Sequence, residues 1–532
     1  MKTFLINSFN KIKFKQLLWI LLISFFVISI FHLNIFSQGN TRPELFWKNL
    51  SKLFEFKTIS PDYSQNLFWV CLKMMFWSIK AVVFGNLFGF LLAFFTSILI
   101  TQNLYIKKYT ATIAKIIVIC LKALPSLIPL FLLTEGFGGL LGASLIIFWF
   151  TWLWLTRYLN NIYENANLKK YWELRRIGYS LLKAFYKTVL LEHKNKVFLY
   201  FLFSFESNLR WTSVLGQVGV YGIGFYINQF KNKYQYLGIF LIIFCLFIGV
   251  LELILYLSNL LVKYHFQINL NANKIQIWFQ RNLKKIVFWI FILIYLIVFI
   301  LTLADFSYLN IQWKQITIVL IKLFSFDFNL YNEKEFWTIL LDTFKIIEVS
   351  FISTILGVSI AVVYAYFSAE KINNKWLAIG LKLNIMFWRI IPIMIIYYLF
   401  IWIFSIQNLI IFCLTVSVFR SSAKQISEFY NALNVEKIKL LRLQGFNKYQ
   451  IFIKHCWPAI RKEVKSQFLI QFDNCLRNAL IFSAFGGFSI GLKYSHFIKH
   501  NEIQYIFPLL LPLYVTFLIL EFSNFRLSKR KI

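Results

Sequence analysis

The sequence predicts an all-α polytopic membrane protein, with about twelve transmembrane helices in two homologous, parallel six-helix halves, residues 1–265 and 266–532. Three observations carry this. The chain is 59% hydrophobic and 15% charged over 532 residues, and its apolar runs approach or exceed the eighteen or so residues that a membrane helix needs. Its 56 Lys and Arg stand against 22 Asp and Glu. They cluster between the apolar runs, as the positive-inside rule requires, and do not form the basic face of a nucleic-acid binder. Finally, residues 178–224 align without a gap to 445–491, 267 positions later, with 12 identities in 47.

The N-terminus carries Lys2, Lys11, Lys13 and Lys15 before an apolar run from about Leu17 to Phe31. No small-residue cleavage site follows, so the run reads as an uncleaved first span that starts inside. Residues 37–66 are polar and mixed in charge, and belong outside. Further spans fall within about 68–100, 111–133, 138–158, 197–224 and 237–262. The loops 101–110 and 159–196 hold Lys107, Lys108, Lys169, Lys170, Arg175, Arg176, Lys183 and Lys187, and belong inside. A basic linker at about 263–286 ends the first half. The second half repeats the plan, with spans within about 287–304, 338–367, 376–404, 405–419, 466–492 and 503–522. The fourth of these is short or merges with the third. The loop 420–465 and the tail Arg526, Lys529, Arg530, Lys531 are basic, which puts both termini inside.

The repeat includes Gly178/Gly445, Phe205/Phe472, Arg210/Arg477, Gly219/Gly486 and Gly224/Gly491, and Pro125 and Pro392 share the offset. Upstream it becomes 268, matching Phe68-Trp69 to Phe336-Trp337 and Gly89 to Gly357. Shared membrane composition gives scattered Phe and Leu matches, not glycine, proline and arginine at one offset, so two homologous halves are fused. An even number of spans per half makes the repeats parallel, unlike the inverted repeats of many secondary transporters. The six cysteines form no C-x-x-C pair and the six histidines no H-E-x-x-H. No disulfide framework and no metal site is implied. No G-x-x-x-x-G-K-[ST] loop is present, so the chain has no P-loop of its own for ATP.

Two segments stand out in the basic loops. Gly445 to Pro458 reads G-F-N-K-Y-Q-I-F-I-K-H-C-W-P, a short amphipathic helix between a glycine turn and a proline, with Glu428 and Asn431-Ala432 upstream. By itself this describes an ordinary surface helix. It resembles the cytoplasmic "EAA" loop of ABC-importer permeases, which docks on the ATP-binding subunit. Gly178 opens a second copy, in which Leu191 stands in the proline position and Asn161 matches Glu428.

The stretch Phe205-Glu206-Ser207-Asn208-Leu209-Arg210, followed by Gly216, Gly219, Gly222 and Gly224, resembles the phosphonate-type ABC permease family, as does Pro61-Asp62-Tyr63-Ser64. Phe472-Asp473-Asn474-Cys475-Leu476-Arg477 is a degenerate copy, followed by Gly486 and Gly491. Independently of the family, Glu206/Arg210 and Asp473/Arg477 are acid-before-base pairs four residues apart, on one helix face. Within a span such groups face protein or a water-filled path. They read equally as structural ion pairs and as path-lining groups. Lys122 and Arg389, each three residues before Pro125 or Pro392, either meet an anionic substrate or reach to the membrane surface. The glycines permit close helix packing or gating.

The resemblance implies a type I ABC importer permease, two permease units fused as in mollicute systems. Its partners are two ATP-binding cassette subunits on the cytoplasmic face, an extracellular substrate-binding protein or lipoprotein, and the lipid bilayer. ATP and Mg sit on the partner subunits and no cofactor on this chain, which is no enzyme. The implied substrate is a phosphonate or another organic phosphate, thiamine pyrophosphate among the candidates, and the implied location is the plasma membrane. The alternative is an ion-coupled secondary transporter, which would use an intramembrane carboxylate such as Glu206, Glu252, Glu348 or Asp473.

Overall fold

A computed structural model describes residues 23–33, 42–61, 63–216, 220, 222–263, 274–306 and 313–529, and the regular structure among them is helical. The basic N-terminal stretch, Gly219 and the last three residues lie outside the described residues. Two compact units form, residues 49–325 and residues 326–532 together with 1–48. The chain opens with α1 (Ile23–His32) and α2 (Pro43–Leu53).

The unit of residues 49–325 is built on α3 (Leu67–Ile100), whose start is capped by the Asn66 side chain accepting from Phe68 N–H. The next predicted span is broken. α4 (Lys108–Ala123) and α5 (Leu127–Phe137) meet at 79°. Pro125 has no N–H to continue a helix and forces the residue before it out of the helical region; Leu124 accordingly has ψ 128°. α6 (Gly139–Glu164) makes the most extensive pairing in the unit, with α3. Glycine allows it: a Cβ at Gly85 would lie 2.5 Å from the Ser144 carbonyl oxygen, and one at Gly89 2.8 Å from Thr151 Cβ. Short helices α7 (Lys169–Arg176) and α8 (Leu181–Phe185) lead through a π turn (Tyr186–Leu190) into α9 (Leu191–Leu215). α10 (Ile223–Gln229), α11 (Tyr234–Lys263), α12 (Lys274–Phe306) and α13 (Trp313–Phe324) complete the unit.

The other unit runs through the same devices. α14 (Glu333–Phe367) is followed by α15 (Lys375–Ile390) and α16 (Ile393–Phe400), which meet at 78° across Pro392. α17 (Ile406–Asn431) packs on α14, where a Cβ at Gly357 would lie 2.7 Å from Val418 Cβ. α18 (Val435–Leu443), α19 (Lys448–Ile451) and a π turn (Phe452–Cys456) lead into α20 (Trp457–Phe482). α21 (Ser489–Lys499) and α22 (Ile506–Lys529) close the chain.

Among the described residues six helices are long and apolar enough to cross a membrane, or up to eight if each bent pair counts as one span. Twelve spans are not shown. α9 and α20 occupy predicted spans but are too polar to qualify, and among the described residues of α12 the apolar stretch is Ile292–Phe306. The fourth span of the second half is neither short nor merged: α17 has 26 residues and a turn separates it from α16.

The compact units cut the chain elsewhere than at 265/266. α12, beyond that point, packs on α3. Its Tyr295 hydroxyl donates to the Val83 carbonyl at 2.6 Å and Phe299 stacks on Phe84 at 6.0 Å. α1, from the start of the chain, packs on α14 through Phe25, whose ring meets Phe351 at 5.1 Å and Phe344 at 5.8 Å.

Candidate functional site

Gly445 has φ +84° and Gly178 φ +96°. Both close a helix with the same pair of bonds. Gly445 N–H reaches the Arg442 carbonyl at 3.0 Å and Phe446 N–H reaches Leu441 at 3.1 Å; Gly178 N–H reaches Arg175 at 3.2 Å and Tyr179 N–H reaches Leu174 at 3.1 Å. These are Schellman caps, which favour glycine because the left-handed conformation strains other residues. A Cβ at either glycine meets nothing within 4 Å, so conformation, not crowding, selects the residue.

After Gly445, Asn447 and Gln450 form a reciprocal capping box, and Pro458 lies in the first turn of α20, where its missing N–H costs nothing. Tyr366 holds the segment in place: its ring meets Phe452 at 5.0 Å and Tyr430 at 5.7 Å, and its hydroxyl donates to the Lys448 carbonyl at 3.0 Å. The Arg442 guanidinium donates to the Ile372 carbonyl. After Gly178 the anchor is Phe185, edge-on to Tyr163 at 4.9 Å, while Tyr171 donates to the Leu104 carbonyl at 3.0 Å. α9 starts at Leu191 without a proline, so the turn does not depend on Pro458. Glu428 is exposed in the last turn of α17.

Anchored on one side, each segment leaves apolar side chains bare on the other. Leu443 is 85% and Tyr449 71% exposed, with Ile453 and Trp457 following at helical spacing. In the earlier segment Ile177 is 74% and Leu182 58% exposed, with Tyr186 following. Contiguous exposed apolar groups on a structured segment mark an interaction surface. Sequence inspection saw the amphipathic pattern but not which face the protein itself covers. Burial, reinforced by Lys437, holds the His455 imidazole below its usual range, and burial pushes the Cys456 thiol up to about 11.

The predicted charge pairs form. Arg210 contacts Glu206 at 2.7 Å, and Arg477 contacts Asp473 at 3.2 Å. Arg477 also lies 3.8 Å from Glu521 and 4.6 Å from the centre of the Phe517 ring, partners on α22 that local spacing could not reveal. Asn208 ties helices together: its amide donates to Thr151 Oγ1 at 2.7 Å and Asn86 Oδ1 at 3.1 Å, and Ser204 donates to the same Asn86 oxygen at 2.7 Å.

Lys122 is half-buried and Arg389 buried, each in the last turn before a proline break, where a cation also complements the helix dipole. Arg420, which the sequence analysis did not single out, donates to the Ile391 carbonyl at 2.7 Å and Trp388 at 3.2 Å, satisfying carbonyls that the break exposes. Gly216 and Gly224 touch: a Cβ on Gly216 would lie 1.9 Å from the Gly224 carbonyl carbon. A Cβ on Gly491 would lie 2.0 Å from the Ser483 oxygen. Gly486 has φ +92°, and a Cβ there would only touch Leu492 at 3.9 Å, so conformation and not crowding selects glycine at this turn.

The described residues form a multi-pass helical framework with two bent helix pairs and charge pairs between its helices, and sequence comparisons say what it is similar to. Residues 353–531 match the family described as binding-protein-dependent transport system inner membrane component. The chain is similar to the ABC transport system permease protein p69 of Mycoplasma pneumoniae, 27% identical over 91% of this chain and 90% of that protein. It is also similar to the p69 permease of Mycoplasma genitalium, 25% identical over 97% and 96%. No solved structure gives a significant match. Over these lengths the chain is similar to permease components of ABC transport systems. Such systems generally include partner ATPases, which bind the ATP, and binding-protein subunits.

Proposed function

We propose that the chain is a fused pair of type I importer permease units, with both termini cytoplasmic, that moves a phosphonate or another organic phosphate inward by alternating access. Twelve crossings in two halves remain part of this reading. The segments 178–191 and 445–458 dock one ATP-binding subunit each. The observation that carries the reading is their shared build: a Schellman-capped turn, a π turn and a bare apolar face at matching positions in the chain. A segment held rigidly to the spans on one side and open on the other can pass a push from a soluble subunit into the helices.

The anionic substrate class is supported by Arg210 and Arg477. Arginine's planar fork can give a phosphate two hydrogen bonds, and Glu206 and Asp473 compete for it, so the anion is not held too tightly for release. Pairing these acids with arginines also weighs against the ion-coupled alternative, which needs a carboxylate free to exchange protons or cations. The test combines the chain with its ATPase subunits in vesicles. Uptake of an organic phosphate, measured per folded protein, should require ATP and fall in Arg210→Gln. A Glu206→Gln/Arg210→Gln double mutant with normal yield and full uptake would remove these residues from the path, and uptake without any ATPase would overturn the importer reading.

A further inference from the structure

Two polar pairs, each with a buried member on the core helix and a more exposed partner, join α1 and α12 to their neighbours. Lys80 on α3 donates to Asp305 on α12 at 2.6 Å and lies 4.8 Å from the centre of the Phe76 ring. Glu348 on α14 contacts His32 Nδ1 on α1 at 2.7 Å; its side chain is fully buried, and its other oxygen has no hydrogen-bond partner among the described residues. Lys80 and Glu348 hold the same place on their helices. They are 268 residues apart, the offset that relates Phe68-Trp69 to Phe336-Trp337, and each lies nine residues before the matched glycines Gly89 and Gly357. The two positions therefore carry a base and an acid, and their partners are the reverse, the acid Asp305 and the imidazole of His32.

We propose that Lys80 and Glu348 are a charge code that decides which first helix each core helix accepts. The inference rests on the two-half reading above. α1 begins the half whose core is α3, and α12 begins the half whose core is α14, yet each packs on the core of the other. If each half kept its own first helix, the buried Lys80 would face His32 and lose its counter-ion, and the buried Glu348 would face a second carboxylate, Asp305. A buried charge without a partner is far costlier than a paired one. The aromatic contacts cannot discriminate in this way, since Phe25, Phe84, Phe299 and Phe351 are interchangeable in kind. Specificity thus comes from penalising the wrong pairing as much as from stabilising the right one.

The test reads helix pairing by disulfide cross-linking in the full-length chain, with the native cysteines replaced. Phe84→Cys/Phe299→Cys and Phe25→Cys/Phe351→Cys report the observed pairing, and Phe25→Cys/Phe84→Cys reports the alternative. Inverting both core positions, Lys80→Glu with Glu348→Lys, should lower the two native cross-links about tenfold, the scale of a strong interhelical polar contact in a membrane. Adding His32→Glu and Asp305→Lys should restore them. Native cross-links that survive the inversion unchanged would overturn the proposal, and so would a loss that the fourfold variant fails to restore. The alternative cross-link forming in the parent chain would overturn it too. No partner subunit or substrate enters this measurement, so failure of the importer reading, seen in uptake, remains a separate result.

Discussion

The two compact units use the same backbone devices with different side chains. Both bend a span at a proline, by 79° and 78°, both cap a helix with a left-handed glycine, and both enter the next helix through a π turn. The chemistry around these devices has diverged. Where Gly85 brings α6 against α3, Ser353 donates to the Ile411 carbonyl at 3.3 Å. Where Asn86, Thr151, Ser204 and Asn208 form a polar node, Thr354 and Cys475 stand at the positions of Asn86 and Asn208, and Thr354 donates to the Ser350 carbonyl of its own helix at 2.6 Å. Backbone geometry rests on residues with no substitute, glycine at positive φ and proline at a break. Side-chain contacts between helices have many solutions, so they can drift while the framework stays.

The largest effect should come where that drift meets a hard wall. Gly224→Ala and Gly491→Ala each drive a Cβ to within 2.3 Å or 2.0 Å of a backbone oxygen, and should cost about 3 kcal/mol or more by overpacking. Gly216→Ser should fail equally, although Ser483 stands at the equivalent position. Folded yield in detergent checks all three, and a stable Gly216→Ser would show that the two hairpins are less distinct than their contacts indicate. Next, Arg477→Gln strands both Asp473 and Glu521 and should cost about 3–5 kcal/mol, more than Arg210→Gln, which strands Glu206. Thermal unfolding of the two variants ranks them, and equal losses would deny Glu521 a share in the pair.

Asn208→Ala removes both interhelical hydrogen bonds of the node and should cost about 1–3 kcal/mol, whereas Cys475→Ala, with a weak donor at the matching place, should cost less by the same assay. Gly445→Glu and Gly178→Glu should each cost folding only about 1–2 kcal/mol of left-handed strain, because the space beside both glycines is open. Stimulation of a partner ATPase should nevertheless fall in both, as a charge enters the docking face. Loss at Gly445 alone would show that the segment without the proline does not engage.

The smallest effect is one of pH. His455 titrates below its ordinary range in the folded chain, so an unfolded segment binds more protons under acid. Its contribution is present above the unfolded value of about 6.5 and is lost as pH falls through the depressed folded value. Limited proteolysis of 445–458 should speed up below about pH 6, and His455→Gln should remove that dependence.

Much of this was legible in one dimension. Helix identity followed from apolar runs, because a membrane span must satisfy its own backbone hydrogen bonds. The glycine turns, the proline positions and both i, i+4 charge pairs followed from local rules that act over a few residues. Three-dimensional packing settled the rest. It turned two smooth apolar runs into bent pairs and gave Arg477 a second acid and an aromatic ring from α22. It set Arg420 on the open carbonyls of a break, and it chose which apolar side chains of 445–458 are covered by Tyr366 and which are left bare. Above all it placed α12 against α3 and α1 against α14, pairings that the order of the sequence does not indicate. A repeat records how the chain is ordered. Which helix lies beside which depends on contacts hundreds of residues apart, and there Lys80 with Asp305 and Glu348 with His32 have no local signature at all.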